Sequence, residues 1–286
     1  MNNKEIFIKA QKEHYAIGAF NFSTLEQLRG ICEAASVLKS PIIIETSPGE
    51  ADFLGIDLVP EIIKVFRKRY GLEAILNLDH GKDLDKIKQA IDYGYDMVQF
   101  DGSELDYQEN LTKTIDIVKY AHGHNVLVEG ELGHLKGTST LQDESPLMSV
   151  EDFTDPNLAQ DFVEKTQVDF LAIAVGNVHG VITSANGNPR LDIERIKKIR
   201  QMTDIFLSLH GGSGTNEDDL KAAIEAGIIK ININTDLRSA YTQSLRQKLI
   251  ENKDEVVPYK YLTQPIEKVR EIVEYKIKLF GSVNKF

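Results

Sequence analysis

The stretch AILNLDHGKDLDKIKQAIDYGYDMVQFD, residues 74–101, reads as strand, helix, strand. Ala74–Asp79 and Met97–Asp101 are short β-rich runs, and between them Leu84, Ile87 and Ile91 recur at the spacing that lines one face of a helix. A strand followed by a crossover helix returns to the sheet in parallel. Outward from this unit the same alternation continues in both directions. Strands are predicted at Ala16–Asn21, Ile42–Thr46, Ala74–Asp79, Met97–Asp101, Val126–Glu131, Phe170–Val175, Ile205–His210 and Ile228–Asn232, with helical segments such as Leu25–Val37 and Ile193–Ile199 between them. Eight βα units predict an α/β fold, a closed (β/α)8 TIM barrel, with residues 1–286 as one domain. A doubly wound open sheet also alternates, but its glycine fingerprint should follow the first strand and does not. Two connections are long, Gly133 to about Asp155 and Val181 to Pro189, the second containing Asn186, Gly187 and Asn188. Loops of that length often act as active-site lids.

With 44 acidic against 33 basic residues the chain carries a formal charge of −11, which argues against a nucleic-acid partner. An anionic substrate then needs local positive potential from a metal, helix N-termini or a few placed arginines. Cys32 is the single cysteine, so an intrachain disulfide and a cysteine-based zinc site are both excluded. Lys4, Glu5 and Lys9 interrupt the apolar residues at the N-terminus, and no apolar run reaches membrane-span length. A cytoplasmic protein without a membrane partner is expected.

Functional groups of such barrels gather at the carboxyl ends of the strands. Here those ends carry Asn21, Glu45, Asp79 with His80, Asp101, Glu129 with Glu131, His179, His210, and Asn232 with Asn234. Three histidines at one end of the barrel suit a catalytic zinc, which takes three protein ligands and leaves a position for substrate. His80, His179 and His210 supply them, whereas His14, His122, His124 and His134 fall in helical or loop contexts. A hydrolase-type zinc barrel would carry a His-x-His pair on its first strand, and none is there. Asp79, beside the metal, suits proton transfer, its other reading being a cap of the loop or helix that follows. Strand alternation would turn Asp79 and His80 to opposite faces, so an irregular strand end is required. Asp101 and Glu131 either hold a second divalent or monovalent cation or orient the ligating histidines. The turn Gly211-Gly212-Ser213-Gly214 follows the seventh strand, where barrels frequently bind phosphate through backbone N–H groups.

These residues resemble the class II, zinc-dependent ketose-bisphosphate aldolases, the group that includes fructose- and tagatose-bisphosphate aldolases. The resemblance runs through Ala19-Phe20-Asn21, Leu78-Asp79-His80, Phe100-Asp101-Gly102-Ser103, Val128 to Gly133, Gly176-Asn177-Val178-His179-Gly180, Leu209 to Gly214 and Lys230 to Thr235. It implies His80, His179 and His210 as zinc ligands, Asp79 as the proton-transfer group, and Gly180, Gly211, Ser213, Asn234 and Thr235 as the cradle of one phosphate. Asn21, Ser47 and Asn232 would contact substrate, and Arg238 falls where the fructose-type enzymes have an Arg near the other phosphate. The implied partner is a small phosphorylated sugar, with fructose 1,6-bisphosphate first and tagatose 1,6-bisphosphate or a singly phosphorylated ketose as alternatives. A homodimer or homotetramer is also implied. Two other readings are a non-catalytic accessory member of the family and a zinc hydrolase on the same barrel. Three stretches depart from the family pattern. Lys136-Gly137-Thr138-Ser139-Thr140 stands in place of Gly-Gly-x-Glu-Asp, leaving Asp143 or Glu144 to serve as a second proton-transfer group. Ile182-Thr183 replaces Tyr-Lys, and Tyr259-Lys260-Tyr261-Leu262 lacks an Arg.

Overall fold

The computed structural model describes residues 4–184 and 187–286, so Asn186 lies outside the described residues. Its strands are β1 (Ile17–Asn21), β2 (Ile42–Thr46), β3 (Ala74–Gly81), β4 (Met97–Phe100), β5 (Leu127–Leu132), β6 (Gly137–Gln142), β7 (Phe170–Ile173), β8 (His179–Ile182), β9 (Phe206–Leu209) and β10 (Ile228–Ile233). Eight of them close a parallel barrel in the order β1-β10-β9-β7-β5-β4-β3-β2. This is the (β/α)8 fold expected from the alternation. Local signals punctuate each unit: Asp83 caps the helix Leu84–Tyr93 by accepting from the N–H groups of Asp85 and Lys86, and Gly94 ends it in the left-handed conformation.

The barrel interior is layered. Side chains along a strand face the same side every second residue. Ile17, Ile43, Ile75, Met97, Leu127, Phe170 and Ile229 form an apolar floor, closed from below by Phe7 of the helix Glu5–Lys12, whose ring meets Phe170 edge-on at 4.6 Å. Two residues further along come Glu45, Asn77, Gln99 and Glu129, joined by Ser208 and Lys230, all fully buried. A register shift between Ile228 and Lys230 lets both Ile229 and Lys230 face inward. Two residues further again stand Asp79, Asp101, Glu131, His210 and Asn232. The chemistry therefore rests on a polar middle layer, which itself rests on an apolar one.

One feature differs from the sequence reading. The two long connections are not open lids: β6 and β8 pair in parallel as a separate two-stranded ribbon, with Gly137 opposite His179 and Gln142 opposite Ile182. The ribbon escapes sequence reading because GTSTLQ is polar and largely exposed, with no apolar alternation to mark it.

Candidate active site

His80 reaches the site through a broken strand end. Its backbone lies in the left-handed region, with φ at 53°, and the pairing of β3 with β4 shifts register between Leu78 and Gly81. The amide of His80 is held by donating to Gln99 Oε1 at 2.8 Å. This irregularity brings Asp79 and His80 to the same side, against the alternation of a regular strand.

His80 and His210 face each other with His210 Nδ1 3.1 Å from His80 Nε2. The far nitrogen of each ring is committed to a carboxylate: His80 Nδ1 donates to Asp101 Oδ2 at 3.0 Å and His210 Nε2 donates to Glu129 Oε1 at 2.7 Å. With both hydrogens turned outward, the two facing nitrogens are left to share a proton or to ligate a metal cation. Carboxylates behind imidazoles in this way fix the tautomer and raise the basicity of metal ligands. A tetrahedral zinc with bonds of about 2.0–2.1 Å separates its nitrogen ligands by about 3.3 Å, so the donor set fits. Burial works against a charge on His80, yet Asp79, Asp101 and Glu131 outweigh it and lift the imidazole to about 10. Surroundings that favour a proton there favour a metal cation there.

His179 approaches from the ribbon, its ring centroid 4.8 Å from that of His80 and 6.5 Å from that of His210. Its amide donates to Lys136 O at 2.9 Å, and its carbonyl accepts from Gln142 Nε2 at 2.6 Å. Burial and the other two imidazoles hold His179 neutral, down to about 3, leaving one ring nitrogen's lone pair available to a metal. Among the described residues, donor atoms within 4.8 Å of one another form two groups, Asp79, His80 and His210, and His80, Asp101 and Glu131, with His179 in neither. In the second group Asp101 is held low by His80 and by Ser103 despite its burial, whereas burial and the Asp101 charge push Glu131 up to about 8.

The Asp79 carboxylate is pinned from both sides. Asn21 donates to Oδ2 and Asn232 to Oδ1, each at 3.0 Å. Oδ1 lies 4.0 Å from His80 Nε2 and 3.9 Å from His210 Nδ1. Despite burial, the two imidazoles and Lys230 hold the carboxyl below its ordinary range, which keeps it an anion and a proton acceptor.

A small pocket above these groups is lined by Asn21, Asp79, the three histidines and Asn232, and on its other side by Gly180, Gly211, Ser213, Asn234 and Thr235. Gly211 has φ at 69°, and a Cβ there would sit 2.2 Å from Val178 O, so the turn requires glycine. Ser213 Oγ accepts from Asp236 N at 3.2 Å, close to the N-terminus of the helix Thr235–Glu251, whose first N–H groups favour an anion. Ser139, in the stretch that departs from the family pattern, also lines the pocket. Asp143 and Glu144 do not; Asp143 instead accepts from Thr183 Oγ1 at 3.3 Å. Nor do Ser47 and Arg238 line it: Ser47 caps the helix Pro48–Leu54 in a reciprocal pair with Glu50, and Arg238 Nη2 donates to Glu50 Oε1 at 2.6 Å.

Three residues of this network carry no candidate role in the sequence reading. Lys230 lies 2.6 Å from Glu129 Oε2 and 3.0 Å from Glu45 Oε1. Glu50 anchors Arg238. Asn188 ties the ribbon to the glycine turn, donating to Gly180 O at 3.0 Å and Ser213 O at 3.2 Å. The available signal was the pairing of polar residues two apart within strands, Asn77 with Asp79, Gln99 with Asp101, Glu129 with Glu131, Ser208 with His210 and Lys230 with Asn232.

Residues 1–285 match the class II fructose-bisphosphate aldolase family. The chain belongs to that family. It is a class II aldolase, a carbon–carbon lyase of a metal-dependent family, and it carries residue groups that can hold a metal ion. It is 35% identical to a fructose-bisphosphate aldolase of Helicobacter pylori strain J99, with 100% of this chain and 99% of the relative covered. It is 37% identical to the 6-phospho-5-dehydro-2-deoxy-D-gluconate aldolase of Bacillus subtilis strain 168, covering 99% and 96%. Among solved structures, the YdjI aldolase of Escherichia coli K12 superposes with a TM-score of 0.81 at 32% identity, covering 98% and 97%. A putative fructose-1,6-bisphosphate aldolase from Coccidioides immitis gives 0.86 at 25% identity, covering 98% and 96%.

Proposed function

We propose that this class II aldolase is zinc-dependent and cleaves the C3–C4 bond of a ketose 1-phosphate unit, releasing dihydroxyacetone phosphate and an aldehyde. The observation that carries the reading is the facing pair His80 Nε2 and His210 Nδ1, 3.1 Å apart, with Asp79 Oδ1 within 4.0 Å of both. His80, His179 and His210 hold the zinc, and Asp101 with Glu131 either braces His80 or takes a second cation. Bound there, zinc supplies a Lewis acid that draws electron density from the C2 carbonyl. Asp79 accepts the proton of the C4 hydroxyl; the C3–C4 electron pair stays with C3, and C4 leaves as the aldehyde carbonyl. C3 then takes up a proton from water and Asp79 returns the one it holds to solvent, which completes dihydroxyacetone phosphate and restores the carboxylate. Asn21 and Asn232 hold the Asp79 carboxylate in one orientation, so it meets the hydroxyl already aligned. Gly180, Gly211, Ser213, Asn234 and Thr235 bind the C1 phosphate.

A lysine Schiff base has no support here. Lys230, the buried candidate, lies between Glu129 and Glu45, which outweigh burial and hold its amine above its ordinary range as an ammonium without nucleophilic character. The intact set of histidines and Asp79 supports a catalyst over an accessory subunit. Fructose 1,6-bisphosphate, tagatose 1,6-bisphosphate and a singly phosphorylated ketose share the C1 half of this reaction and differ at the far end or at C4. Relatives of similar identity carry different substrate names, so family membership leaves the far end open.

The enzyme acts as one domain over residues 1–286, in the cytoplasm, as a homodimer or homotetramer, without nucleic-acid or membrane partners. Among the described residues no helix is long and apolar enough to cross a membrane. A cleavage assay over a panel of ketose mono- and bisphosphates, with bound metal quantified in parallel, tests the proposal. Dihydroxyacetone phosphate should appear from at least one of them and disappear with chelator. Production that ignores chelation would overturn the zinc reading.

A further inference from the structure

Arg238 is the cation expected to receive a second phosphate, and it is already engaged. Its Nη2 donates to Glu50 Oε1 at 2.6 Å. Glu50 is only 5% exposed, and its position does not depend on Arg238. Its other oxygen accepts from Ser47 N at 2.8 Å, from Ser47 Oγ at 2.9 Å and from Asn21 Nδ2 at 3.3 Å. The same Asn21 amide donates to Asp79 Oδ2 at 3.0 Å. One amide group thus links the fixed carboxylate of Glu50 to the proton-transfer carboxylate of Asp79, at the side of the site where the C4 hydroxyl and everything beyond it must lie.

We infer that Glu50 is a specificity-determining residue that makes the far end of the substrate uncharged, so that the ketose carries a single phosphate and the aldehyde released is a hydroxylated, unphosphorylated one. The inference rests on the aldol reading above. A phosphate at Arg238 would have to displace Glu50, yet three other donors keep that carboxylate in place. It would remain as a buried anion beside the incoming dianion, an arrangement that disfavours binding. A sugar hydroxyl meets no such obstacle, because it donates to Glu50 and accepts from Arg238 at once. Specificity of this kind comes from an element that repels the wrong substrate.

The test is aldol addition by the zinc-loaded enzyme, with dihydroxyacetone phosphate as donor and either glyceraldehyde or glyceraldehyde 3-phosphate as acceptor. The wild type should favour the uncharged acceptor in kcat/KM by about tenfold or more, and Glu50→Gln should shift that ratio toward the phosphorylated acceptor by about tenfold, the scale of one charge-assisted contact. Adding Arg238→Ala to Glu50→Gln should abolish the shift. A wild type that prefers glyceraldehyde 3-phosphate, or a Glu50→Gln enzyme in which both acceptors change equally, overturns the inference. The wild-type ratio decides the matter even where a variant does not fold. Addition to neither acceptor overturns the aldol reading itself, and this assignment with it.

Discussion

The Lys230 ammonium lies 2.6 Å from Glu129 Oε2 at the centre of the barrel, and neither side chain is exposed. The other oxygen of Glu129 holds His210 Nε2 at 2.7 Å and accepts from Ser208 Oγ at 2.9 Å. Burial alone would raise the Glu129 carboxyl, but Lys230 and His210 outweigh it and hold it down to about 2. The lysine thus keeps charged the group that decides which nitrogen of His210 retains its hydrogen.

Lys230→Met would leave Glu45 and Glu129 as buried carboxylates without their cation. Breaking a buried pair from one side costs about 3–5 kcal/mol, and chemical denaturation should show a loss of that order. A loss below about 1 kcal/mol would mean that the neighbouring amides and Ser208 suffice.

Glu129→Gln keeps the shape and removes the charge behind His210. Metal affinity should fall about 10–100-fold, as it does when the partner of a ligating histidine is lost. Competition against a chelating dye measures this, and unchanged affinity would detach Glu129 from the metal centre.

The barrel was legible in the sequence because its strands are short apolar runs between helices of clear period; Ile42–Thr46, for example, has the same bounds in the structure. The histidines and Asp79 were legible because strand ends carry chemistry in this fold. Glu50 and Lys230 were not. Glu50 sits in a helix's first turn, where an acid ordinarily means only a capping box, and its partner Arg238 is far away in sequence. Lys230 needs the irregular pairing of β10 to face inward, and no sequence pattern announces that shift. The ribbon of β6 and β8 was hidden for a related reason: its strands are polar, and it forms by pairing two connections that lie far apart in the chain.

Asp79→Asn keeps the shape and one of the two amide contacts, turns an NH2 group toward the other donor, and removes the proton acceptor. Turnover should drop by about 10² or more with zinc content unchanged, the usual contribution of a positioned acid or base. Steady-state kinetics beside metal analysis measures both, and near-normal turnover would reduce Asp79 to a structural role.

Gly211→Ala places a methyl group 2.2 Å from Val178 O at a backbone φ of 69°. The turn must move, at a cost of about 1–3 kcal/mol, and the phosphate cradle moves with it. KM for a phosphorylated substrate should rise by about tenfold or more while kcat changes less. Equal falls in both would indicate that the turn also positions His210.

The central claim is that one zinc ion, held where His80 and His210 converge and completed by His179, is needed for carbon–carbon cleavage. The most direct measurement strips the enzyme of metal with a chelator and follows kcat as zinc is returned in known amounts. Activity should vanish on stripping and rise in proportion to added zinc, reaching its plateau at about one ion per chain. Full turnover by metal-free protein would contradict the account.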